Sequence, residues 1–241
     1  MKNLSVEGLT PEQIAELQAN IENFKKQNEP DVDQKKIYNL VKPLTKRERR
    51  IISFLDKFTK GNWIVNETTG LVDIEGDFIC LREDDDDPIE DFKGVKFGVV
   101  TGHFYFEDQC LESLEGAPQK VGGNFVCSYN GFTSLEGAPQ WVGGNFECSN
   151  NGLDLTSLEG APQWVGGNFE CVESNLKSLE GAPQWVGGDF NCGDNELTSL
   201  EGAPQKVGGD FYCYNNKLTS LEGAPLHIEG SLYNTKRTIS Y

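Results

Sequence analysis

The chain has no apolar run approaching the roughly 20 residues that a bilayer-spanning helix needs, and its opening, MKNLSVEGLTPEQ, lacks a secretory h-region. It is therefore expected to be soluble, without membrane contact, and to work in the cytoplasm. Only two histidines occur, His103 and His227, no CxxC is present, and no motif joins either histidine to a nucleophile. Zinc spacings are thus missing and catalysis is without support, so neither a cofactor nor an enzymatic activity is expected. Excess positive charge is also lacking. The formal net charge is -17, with 14 Asp+Glu against 3 Lys+Arg over residues 61–112 and 15 against 6 over residues 113–241. Residues 1–60 alone are mildly basic, with 12 Lys+Arg against 9 Asp+Glu. An acidic surface repels nucleic acid and anionic lipid and steers basic partners towards itself, although the same charge also serves merely to keep a repetitive protein soluble.

What the chain has is repetition. Near-copies of SLEGAP begin at Ser113, Ser134, Ser157, Ser178, Ser199 and Ser220, spaced 21, 23, 21, 21 and 21 residues. A fixed period of that length marks a solenoid, in which each coil buries a face only by stacking on the next. The seven cysteines fit this reading. Cys127, Cys148, Cys171, Cys192 and Cys213 fall at one repeat position, with Cys80 and Cys110 upstream. An odd count on a repeat ladder suits buried free thiols in a reducing compartment better than a disulfide framework.

Three regions follow. Residues 1–61 are expected to form a helical cap. Thr10-Pro11-Glu12-Gln13 is a capping box ahead of Ile14, Leu17, Ile21 and Phe24, and a second helix is marked by Ile37, Leu40, Val41 and Leu44. Thr45-Lys46-Arg47-Glu48 is another capping box, leading to Ile51, Ile52, Leu55 and Phe58, with Gly61 as the stop. Lys42, Lys46, Arg47, Arg49 and Arg50 read either as a basic patch or as a solvated helix face. Residues 62–112 are divergent leading coils with an acidic loop at 83–87, and residues 113–241 are the regular repeats and a C-terminal cap to which Lys236–Tyr241 contribute. Counting Ile74–Cys80, Val100–Phe106 and the divergent Ile228–Tyr233, about eight coils are expected.

Within a coil, alternation puts Phe125 and Cys127, and their equivalents, on one inward face. A polar residue stands three after each cysteine (Asn130, Asn151, Ser174, Asn195, Asn216), where an amide can satisfy backbone groups at a bend. An apolar residue returns two later (Phe132, Leu153, Leu176, Leu197, Leu218), before the leucines of SLEGAP. Written out, F-x-C-x-x-N-x-L-x-x-L resembles the leucine-rich repeat, in particular the short bacterial class with an extended, proline-containing back. The phrase SLEGAPQxVGGxF also resembles repeats of tailed-phage proteins. The resemblance covers residues 62–234 and implies a leucine-rich-repeat parallel β array, an α+β solenoid with an N-terminal helical cap, of phage origin.

Three columns are expected to face outward: Asn124, Asn145, Asn168, Asp189, Asp210; then Val126, Glu147, Glu170, Asn191, Tyr212; then Ser128, Ser149, Val172, Gly193, Tyr214. Before the valine of each coil stands Lys120, Trp141, Trp164, Trp185, Lys206 and His227, so three of the four tryptophans fall on consecutive coils. Because lysine and tryptophan exchange there, the column must be partly exposed. Tryptophan is prominent at binding hot spots, while an indole lying over the Gly-Gly pair as cover accounts for the pattern equally. The partner-binding set is Trp141, Trp164, Trp185, Lys120, Lys206, Glu147, Glu170, Asp189, Asp210, Tyr212 and Tyr214. The expected function is non-enzymatic binding and inhibition of a host bacterial protein by steric occlusion, as an anti-defence factor, by a monomer or weak homo-oligomer that takes no nucleic acid directly. The alternatives are an acidic mimic of nucleic acid occupying a basic groove, and a virion structural or carbohydrate-binding protein.

Overall fold

A computed structural model of the chain describes residues 45–66, 68–82, 88–152 and 155–234. The two helices expected upstream of Thr45, the acidic loop at 83–87 and the segment Lys236–Tyr241 lie outside the described residues. The rest is a parallel β-solenoid of about seven turns closed at its N-terminal end by one helix.

That helix, α1 (Lys46–Phe58), starts where the capping box places it. Thr45 Oγ1 accepts from the Glu48 backbone N–H at 3.2 Å, and Glu48 accepts from the Thr45 N–H at 2.6 Å. Lys46, Arg47, Arg49 and Arg50 face solvent, while Ile51, Phe54, Leu55 and Phe58 turn inward. The helix ends before Gly61. That glycine lies inside strand β1 (Thr59–Val65), opposite Gly76 of β2 (Val72–Leu81), in an antiparallel hairpin. Two chains of backbone meet there so closely that a Cβ on either glycine would strike the other strand. Close approach, and not helix termination, accounts for Gly61.

From β2 onward every coil contributes two short strands. These are β3 (Phe97–Val100) and β4 (Phe104–Glu107), β5 (Lys120–Val121) and β6 (Phe125–Val126), β7 (Trp141–Val142) and β8 (Phe146–Glu147), β9 (Trp164–Val165) and β10 (Phe169–Glu170). The series continues with β11 (Trp185–Val186) and β12 (Phe190–Asn191), β13 (Lys206–Val207) and β14 (Phe211–Tyr212), and β15 (His227–Ile228) and β16 (Leu232–Tyr233). From β3 the odd-numbered strands stack on the first half of β2, with a shift of register between Val72 and Ile74, and the even-numbered strands on its second half, giving two parallel rails.

The core is a set of ladders along the solenoid axis. Phe78, Phe104, Phe125, Phe146, Phe169, Phe190 and Phe211 stack ring on ring at 5.0–5.4 Å and are fully buried. Phe54 and Phe58 of α1 close the ladder on Phe78, at 5.5 and 6.0 Å. Beyond the area it buries, each such aromatic pair contributes about 0.5–1.5 kcal/mol. Cys80, Cys127, Cys148, Cys171, Cys192 and Cys213 are free and buried, whereas Cys110 is exposed. Leu153 lies outside the described residues; in that longer coil it is Leu155 that is fully buried, two positions further on.

The bend after each cysteine is held by the expected amide. Asn195 Nδ2 donates to the carbonyls of Cys171, Cys192 and Gly193 at 2.8–3.2 Å, and its Oδ1 accepts from the N–H groups of Ser174 and Leu176 at 3.1 and 2.9 Å. Asn130 and Asn216 repeat most of this pattern, and Ser174 supplies a shorter version through its hydroxyl. SLEGAP forms the next corner. The alanine N–H returns to the leucine carbonyl (Ala161 to Leu158 at 2.9 Å), which puts Gly160 at φ +89°, where a side chain is strained.

Candidate functional site

The tryptophan column lies on the first rail, paired in register as Lys120, Trp141, Trp164, Trp185, Lys206 and His227. The indoles stack almost parallel, at 4.9 Å for Trp141–Trp164 and 4.8 Å for Trp164–Trp185. Lys120 Nζ sits 4.2 Å from the Trp141 ring centroid as a cation–π cap. At the far end Lys206 Nζ turns to Glu229, at 2.9 Å. All three indoles are half-buried. Each leans over the first glycine of its own Gly-Gly pair, with Cη2 at 2.9, 2.9 and 2.8 Å from where a Cβ would stand on Gly143, Gly166 and Gly187. The column therefore both covers the glycine backbone and keeps an aromatic edge in solvent. Both faces of Trp164 are occupied by its neighbours, so the band offers ring edges and cannot serve as a flat platform.

The second glycine of each pair has a different neighbour. A Cβ there would collide with the side-chain acceptor one coil back: Asn124 for Gly144, Asn145 for Gly167, Asn168 for Gly188, Asp189 for Gly209, Asp210 for Gly230. Those acceptors form a second hydrogen-bond ladder. Asn124 Oδ1 accepts from the Asn145 N–H at 3.0 Å, Asn145 from Asn168 at 2.9 Å, Asn168 from Asp189 at 2.9 Å, Asp189 from Asp210 at 2.7 Å and Asp210 from Ser231 at 2.8 Å. Asp77 and His103 begin it, taking the N–H groups of His103 and Asn124. This column was expected to point outward. It points along the axis instead, so Asp189 and Asp210 each commit one carboxylate oxygen to the neighbouring coil. The sequence carried a signal for this: every residue in the column has an acceptor atom.

On the second rail, Glu147 and Glu170 stand opposite each other in register, continued by Asn191, Tyr212 and Tyr233. Val126 and Ser128, expected to face outward here, are buried. Burial, and then the neighbouring Glu147 and Asp189 carboxylates, raise the Glu170 pKa above the ordinary carboxylate value. Glu107, which sequence reasoning missed, joins the strip, and burial followed by Glu147 and Asp108 raises its pKa too. Tyr212 donates its hydroxyl to Asp210 Oδ2 at 2.9 Å, and that bond is the main reason its pKa is pushed up to about 12. The Tyr214 ring stands edge-on to Tyr212 and fills the space over Gly193. The expected binding residues thus gather into two strips, one of indoles and lysines and one of carboxylates and tyrosines, on either side of the Gly-Gly-Asn/Asp segment of each coil.

No three metal-ligating side chains converge among the described residues, and no helix among them is long and apolar enough to cross a membrane. Models of protein families, curated proteins and solved structures give no match to the chain.

Proposed function

We propose that the chain is a non-enzymatic leucine-rich-repeat solenoid of eight coils, the first formed by β2, that binds a protein across the two strips. The repeat class is supported by F-x-C-x-x-N-x-L-x-x-L, in which the Phe, Cys and Leu positions are buried and the Asn position ties the bend. The observation that carries the binding reading is the register-stacked column of three half-buried tryptophans beside like-charged carboxylates. Tryptophan supplies large area at little entropic cost, and a partner cation seated near Glu147 and Glu170 would relieve their repulsion. Asp189, Asp210, Tyr212 and Tyr214 extend that polar strip, and Lys120 and Lys206 bound the aromatic one. The partner is a protein with a basic, partly apolar surface. With the phage-like repeat phrase, the setting proposed is the cytoplasm of a bacterial host, where occlusion inhibits the bound protein.

The test is affinity capture from bacterial lysate by the intact chain and by a Trp141, Trp164, Trp185→Ala variant that retains a cooperative unfolding transition. A defined protein held by the first and lost by the second supports the reading; equal capture by both refutes a site on the band. The carboxylate strip also supports a second reading, occupation of a basic groove that normally holds nucleic acid. Its capture would weaken steeply between low and moderate salt, whereas an indole-centred contact would not.

A further inference from the structure

The two ends of the solenoid differ. At the N-terminal end α1 lays Phe54 and Phe58 on Phe78, and β1 pairs with β2. At the C-terminal end no described element follows β15 and β16. The apolar residues of that coil are open: Leu221 is 43% exposed where its equivalent Leu200 is fully buried, and Tyr233 is 43% exposed with one face on Tyr212.

Leu226 is the sharper observation. The five preceding repeats hold glutamine at this position (Gln119, Gln140, Gln163, Gln184, Gln205), and Gln205 Nε2 donates to Gln184 Oε1 at 2.9 Å. Only the terminal repeat replaces it with leucine, which at 84% exposure is the most exposed large apolar side chain of the described residues. The backbone edge is equally open. In inner coils the N–H of the phenylalanine position donates to the next coil, as Phe211 does to Ser231 at 2.8 Å, and the valine-position carbonyl accepts from it, as Val207 does from Glu229 at 3.0 Å. The equivalent Leu232 N–H and Ile228 carbonyl point off the end without a partner among the described residues. Charge favours like meeting like here more than elsewhere. Residues 220–241 carry two Asp+Glu and two Lys+Arg, in a chain of net charge -17.

We propose that this last coil joins two copies of the chain tail to tail about a twofold axis. A twofold contact sets the same patch against itself, so an edge offering both donors and acceptors is self-complementary, and the two Leu226 side chains cover one another. The strands then run antiparallel across the junction. Because α1 and β1 cover the opposite end, the assembly closes at the dimer and does not grow into a filament. The Trp141, Trp164 and Trp185 column and the Glu147 and Glu170 pair of each copy lie on inner coils and stay free, so this contact is independent of the protein-binding reading.

Sedimentation velocity of the full chain from low to high micromolar concentration tests it, with Leu226→Gln, which restores the repeat's own residue, and the triple tryptophan variant alongside. The intact chain is expected to approach twice 26.7 kDa as concentration rises. Leu226→Gln should raise the dimer dissociation constant by at least about tenfold with unchanged circular dichroism. The tryptophan variant should dimerise like the parent. Hydrogen exchange needs no variant: the Leu232 amide should gain protection with concentration. A mass of 26.7 kDa throughout overturns the proposal. So does a Leu226→Gln dimer as tight as the parent's, or loss of the dimer on removing the tryptophans.

Discussion

Trp141 and Trp164 stack with ring centroids 4.9 Å apart and planes 2° from parallel, and Trp185 continues the column at 4.8 Å. Transition dipoles held that close couple, so the folded chain should show an indole exciton couplet in circular dichroism. Trp164→Ala should weaken it severalfold, because the two remaining indoles are then no longer on adjacent coils, whereas Trp141→Ala should leave one closely coupled pair. The loss of two stacking partners and a half-buried ring should cost about 1–3 kcal/mol in chemical denaturation. A couplet undiminished by Trp164→Ala would mean that the column is not stacked in solution.

Asn195 holds five backbone groups of two successive coils. Asn195→Ala should leave several of them buried and unpaired, at about 2–4 kcal/mol by urea unfolding. Asn195→Ser should cost less, because Ser174 already fills the same position one coil earlier with two hydroxyl bonds. Asn195→Asp keeps the acceptor but loses the donors, and should be as damaging as alanine.

These ladders mark where the sequence could be read and where it could not. Phenylalanine and cysteine alternate, leucines return at fixed offsets and an amide follows each cysteine, so the core and the bend are legible from one coil and checked by the next. In and out, however, are only two of the directions open to a side chain in a solenoid. Asn124 and its equivalents point along the axis, and a rule of alternation has no term for that. The same blind spot hid the reason for the Gly-Gly pair, whose second glycine makes room for that acceptor. The tryptophan column was legible as partly exposed because lysine shares it, but the lean of each indole over glycine depends on a rotamer that spacing does not encode.

The glycine argument is testable. Gly167→Ala places a methyl on Asn145 Oδ1, which is engaged with the Asn168 N–H at 2.9 Å, so the ladder must break or shift. Overpacking of this kind should lower stability by about 1–3 kcal/mol. Gly131→Ala is the control, since the nearest atom to its new methyl is the Leu111 carbonyl oxygen at 3.6 Å. Thermal melts of the two variants should separate, with only the first falling well below the parent.

Of seven cysteines, six are buried, and burial is the main reason the Cys127, Cys148, Cys171 and Cys192 thiols are held above their ordinary pKa, with Cys213 at about 11. The thiolate is the reactive form, so these groups should be inert in the folded chain. Titration with a thiol reagent should modify Cys110 alone under native conditions and all seven in denaturant. Rapid native labelling of a second cysteine would place one of the ladder thiols at the surface.

Glu170 gives the pH dependence its sign. Its pKa is raised first by burial and then by Glu147 and Asp189. A folded-state pKa above the unfolded value means that the native state binds the proton more tightly. The favourable contribution is therefore complete below the unfolded carboxylate pKa and is lost as pH rises through the folded one. At neutral pH the ionised carboxylate is a net cost to folding, and Glu170→Gln removes it. The variant should melt above the parent at neutral pH, by less than about 1 kcal/mol because the group is half exposed and solvent screens it. The gap should close as pH falls through the carboxylate range, to about pH 4, and shrink with added salt at neutral pH. A variant less stable than the parent at neutral pH would show that Glu170 takes part in a favourable contact that outweighs its repulsion from Glu147.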